Sequence, residues 1–92
     1  MSTAAFAIKN NGFSRIFKVD DSFRENRKII ENNKKAADHF HLASKAHLAA
    51  ARLFEAGAYE KAAENTVTAH GHSLLAHEYQ KEIAKSYALM RV

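Results

Sequence analysis

The chain has 92 residues and a formal net charge of +4, a length that holds a single domain. It has no proline, cysteine or tryptophan, which excludes a disulfide framework, a thiolate zinc site and a cysteine nucleophile. Of its 43 apolar residues 18 are alanine, so few large side chains are left to fill a core.

The opening stretch reads differently from the rest. Ala5–Lys9 and Phe13–Val19 flank Asn10-Asn11-Gly12, and Asn-Gly favours a type I′ turn because both central positions need positive φ. Aromatic and β-branched residues on each side suit short strands. Residues 1–21 are therefore expected to form either a short β-hairpin or a partly ordered N-terminal arm. No continuous apolar stretch of the secretory-signal kind occurs in the first twenty residues. No run reaches the ~18 apolar residues of a membrane span. These features lead to the expectation of a cytoplasmic protein with no membrane contact.

Residues 22–92 form the second unit, a helical hairpin. Ser22-Phe23-Arg24-Glu25 has the S-x-x-E pattern of a capping box, with Asp20 and Asp21 adding negative charge at the positive end of the helix dipole. From there neither proline nor glycine interrupts the chain before Gly57. Glycine tolerates the left-handed conformation that closes many helices. The sequence thus predicts helices over about 22–56 and 59–89, with Gly71 as a weak point in the second. So short a connection forces an antiparallel pair, and residues whose numbers sum to about 115 should lie level.

The apolar pattern asks for more than one neighbour per helix. Ala36, Phe40, Ala43, His47, Ala50 and Phe54 form one stripe of α-helical period, and Leu42, Ala46, Ala49 and Leu53 form another beside it. The second helix carries Tyr59, Ala63, Val67, His70, Leu74 and His77 on one stripe. Ala62, Thr66, Ala69, Ser73, Ala76, Ile83 and Tyr87 lie on another. One hairpin leaves a stripe per helix in water, with Leu42, Leu53, Ile83 and Tyr87 as candidates. The fold class expected is all-α: a long antiparallel two-helix hairpin that assembles, as a homodimer or higher even oligomer, into a four-helix bundle.

Ala50, Gly57, Tyr59-Glu60-Lys61-Ala62 and Ala69 resemble the helix–turn–helix of tetratricopeptide repeats, over about 25 residues. Only one copy is visible, and its helices exceed that repeat. The Ala/His-rich pattern from Ala36 to Tyr87 also resembles small bacterial helical-hairpin proteins. That likeness implies a hairpin and carries no activity with it.

Six histidines are the feature that invites a chemical reading: His39, His41, His47, His70, His72 and His77. A register sum near 115 sets His47 against His70 and His39 against His77. With Asp38 or Glu78, these four histidines are the candidates for a zinc, nickel or copper site. No H-x-x-x-H or E-x-x-H spacing puts two ligands on one helix face, so a seam-filling role is preferred. No metal or cofactor is expected. The serines lack a nucleophile elbow and no glycine loop cradles phosphate, so no enzymatic activity is expected either.

Charge is uneven. Residues 1–35 hold eight basic and four acidic side chains, whereas 36–92 hold six of each. Arg24, Arg27, Lys28, Lys34 and Lys35 could meet nucleic acid, but Glu25 and Glu31 interrupt them, and a solvated helix face is the preferred reading. The function expected is a non-enzymatic interaction and oligomerisation module, self-associating or docking another protein. The alternatives are a histidine-rich metal-binding bundle and a small nucleic-acid-binding protein.

Overall fold

The computed structural model describes residues 13–90, with side chains from Ser22 onward. Two helices account for almost all of them: α1, Phe13–Glu55, and α2, Tyr59–Met90. No strand occurs among the described residues.

α1 begins at Phe13 rather than near residue 22, so the stretch expected as a second strand is helical. A propagating helix gains one hydrogen bond per residue fixed, and this outweighs the small strand preference of Phe, Ile and Val. Ser22 and Glu25 consequently lie inside the helix and form no capping box. Glu25 instead pairs through Oε2 with Lys28 Nζ at 3.3 Å. The first expected strand and its Asn-Gly turn lie outside the described residues.

Gly57 ends α1 as its chemistry requires. Its φ is 83°, and it donates its N–H to the Phe54 carbonyl at 3.1 Å. Ala58 donates to the Leu53 carbonyl at 2.8 Å. These are the two bonds of a Schellman motif, which satisfy carbonyls that the helix end leaves unpaired. Gly71, by contrast, is helical, and a Cβ added there meets nothing within 4 Å. The two glycines should respond oppositely to alanine. Gly57→Ala is expected to destabilise by about 1–2 kcal/mol, from the left-handed backbone. Gly71→Ala should stabilise by about 0.5–1 kcal/mol, from helix propensity. Thermal melts followed by circular dichroism read both.

The least exposed positions recur at alternating spacings of three and four. Ala49, Gly71 and Ser73 aside, they are 22, 25, 29, 32, 36, 39, 43, 46, 50 and 53 in α1, 58 at the turn, and 62, 65, 69, 72, 76, 79, 83, 86 and 90 in α2. This is the 3.5-residue repeat of a coiled coil. Ring contacts fix its register: His39 sits between His72 and Tyr79, at centroid distances of 5.2 and 5.7 Å. The numbers in these two pairs straddle a sum of 115, as the sequence predicts. Small then faces large along the seam: Ala36 lies level with Tyr79, His39 with Ala76, Ala43 with His72, and Leu53 with Ala62. In the middle Ala46 meets Ala69. Among the described residues the buried apolar ones are all alanines, and Ala62, Ala69 and Ala76 have no accessible surface. Asn65, a polar seam residue, donates to the Lys61 carbonyl at 3.1 Å, whereas Oε1 of Glu25 is buried without a hydrogen-bond partner. The result is a thin rod measuring 67 × 21 × 12 Å.

Candidate interaction face

Once the seam is fixed, the two broad sides of the rod can be told apart. On α1, the flank beside Ala36, Ala43 and Ala50 carries positions 23, 26, 30, 33, 37, 40, 44, 47, 51 and 54. On α2, the flank beside Ala62, Ala69 and Ala76 carries positions 59, 63, 66, 70, 73, 77, 80, 84 and 87. Antiparallel pairing puts both flanks on one side of the rod. Contacts across the groove bear this out. Phe40 meets His77 edge-on at 5.7 Å, and Phe54 lies 6.1 Å from Tyr59.

None of these nineteen positions holds Asp, Glu, Lys or Arg, and all 18 such residues between 22 and 90 lie elsewhere. The opposite broad side is crowded with them. Arg24, Lys28, Glu31, Lys35, Asp38, Lys45 and Arg52 stand there on α1, with Lys61, Glu64, Glu78, Glu82 and Lys85 on α2. There Lys85 pairs with Glu82 at 3.2 Å, and Lys35 lies 5.6 Å from the Tyr79 ring centre. The basic residues singled out in the sequence fall on this side and on the rod's edge, interleaved with Glu31, Glu78 and Glu82.

Exposed aromatic residues divide the same way. Phe23, Phe40, Phe54, Tyr59 and Tyr87, the exposed large aromatics among the described residues, all stand on the uncharged side, with Ile30. The exposed aliphatics Leu42, Leu75 and Leu89 interrupt the charged side, and Leu48, Val67 and Leu74 line the edges. Two of the four side chains expected to lie open do not: Leu53 and Ile83 are half-buried seam residues. Leu42 and Tyr87 are exposed as expected, but on opposite broad sides.

The histidines separate into two environments. His39 and His72 are half-buried in the seam with their Nδ1 atoms 3.0 Å apart. One must donate while the other accepts, so the neutral pair holds one Nδ1–H and one Nε2–H tautomer. His72 was not among the expected pairings. His77 lies level with His39 but on the other flank, and it donates from Nδ1 to the Ser73 carbonyl at 3.0 Å. His47 and His70 are exposed and share the uncharged side, one heptad along from Phe40 and His77. Among the described residues no three His, Cys, Asp or Glu side chains converge in a metal-binding arrangement. A shallow depression beside the turn, lined by Ala58, Tyr59, Glu60, Lys61 and Glu64, opens widely to solvent.

Among the described residues no helix is long and apolar enough to cross a membrane. Comparison with known protein families, with curated proteins and with solved structures finds no match for this chain.

Proposed function

We propose that the protein is a non-enzymatic self-assembly module in which hairpins pair into a four-helix bundle. The observation that carries this reading is the mismatch between core and surface. Among the described residues the buried apolar ones are six alanines, while twelve large apolar side chains stay exposed. Burying one leucine or aromatic side chain is worth about 1.5–3 kcal/mol. Several of them together rival the entire stability of a small domain. An exposed apolar surface of that extent marks an association site on a folded chain.

Light scattering at tens of micromolar tests the reading. The expected mass is twice the 10.3 kDa of one chain, or a higher even multiple. A mass of one chain would remove self-assembly from the function.

A further inference from the structure

We infer that the uncharged broad side is the surface on which a second copy of this chain docks, and that the charged broad side faces solvent. This rests on the self-assembly reading above and assigns that association to one face.

Three observations single out this side. The first is charge: groups desolvated at an interface must be paired, and the cores of interfaces are depleted of charged residues. Here the depletion is complete along both helices, whereas the opposite side carries twelve charges. The second is residue type. Aromatic anchors dominate interface energetics, and among the described residues the exposed Phe and Tyr side chains all stand here. Aromatic residues are spread along the whole face, Phe54 and Tyr59 beside the turn, Phe40 against His77 near the middle, and Phe23 and Tyr87 at the far end. The third is area. Over the ~48 Å that α2 spans at 1.5 Å per residue, and a width of 21 Å, each copy offers on the order of 1,000 Å². A standard interface takes ~800 Å² from each partner.

The occupant follows from the same chemistry. A face without charge gives a strongly acidic or basic partner nothing to pair with. Against another copy of itself it brings no unpaired charge from either side. Such an isologous contact closes on a two-fold axis and needs no complementary patch elsewhere.

Matched charge insertions test the assignment. Ala51→Glu and Ala63→Glu each place a carboxylate on the uncharged side, and Thr68→Glu places one on the other. All three positions are exposed in the hairpin. Each insertion on the uncharged side should weaken the dimer at least about a hundredfold, because it leaves a desolvated charge without a partner. Thr68→Glu and the neutral Ala51→Gln should stay dimeric. Helix content by circular dichroism separates dissociation from unfolding, and having one insertion on each helix guards against a local folding failure. If only Thr68→Glu dissociates the dimer, or all variants remain dimeric, the face is wrong while self-assembly stands. A wild-type chain that weighs 10.3 kDa overturns both. Covering of this side by another part of the same chain is the explanation that would then remain.

Discussion

Ala69→Leu should destabilise the protein by about 1–3 kcal/mol, the usual cost of forcing extra methylenes into a packed site. Ala69 has no accessible surface and lies level with Ala46, the one place in the seam where alanine opposes alanine. The neighbouring layers relieve a large residue with a small one, as Tyr79 against Ala36. This layer has no such slack. A leucine here must push the helices apart, and the close approach at Ala43, Ala50, Ala62 and Ala76 would be lost with it. In a domain of this size each kcal/mol shifts the melting midpoint by roughly 4–8 °C. Thr68→Leu, one residue away and exposed, should move it by less than about 0.5 kcal/mol in stability. The melts belong at one protein concentration, because an assembling chain melts in a concentration-dependent way. Equal midpoints for Ala69→Leu and wild type would mean that the alanine seam is misplaced.

Much of this seam is legible in the sequence, and the reasons are local. Gly57 stands alone in a long run of helix formers, so the turn is unambiguous. A tight turn leaves one register, and the sum of 115 follows from it. The start of α1 is harder to read. Phe13, Ile16, Phe17 and Val19 carry strand-like side chains, and only the continuous helix behind them decides their state. The capping-box spacing at Ser22 and Glu25 misleads for the same reason, since a helix already running has no end there to cap.

The seam's second row is hidden for a different reason. Apolar periodicity finds Ala36, Ala43 and Ala50 readily, but the neighbouring row holds Glu25, Asn32 and His39. A search for apolar stripes steps over such residues and selects Phe40, His47 and Phe54 instead. Those three are the flank, not the seam. With the flank mistaken for core, His39 is paired to His77 across the wrong side, and its true neighbour His72 goes unnoticed. The uncharged side becomes visible only when both rows are known, because its nineteen positions come from two helices in opposite directions. Every one of them can be read from the sequence once the seam is given.

High salt should leave the proposed dimer intact. The uncharged side holds no Asp, Glu, Lys or Arg at any of its nineteen positions, so a contact between two such sides draws nothing from pairing of those charges. At about 1 M salt the reach of an exposed charge falls to roughly 3 Å, and a contact held by surface ion pairs must weaken. Apolar burial is not screened in this way. The dissociation constant is therefore expected to rise by less than about threefold between roughly 50 mM and 1 M sodium chloride, read by light scattering over a dilution series. Weakening by about tenfold or more would move the contact to the opposite broad side, where the charged residues stand.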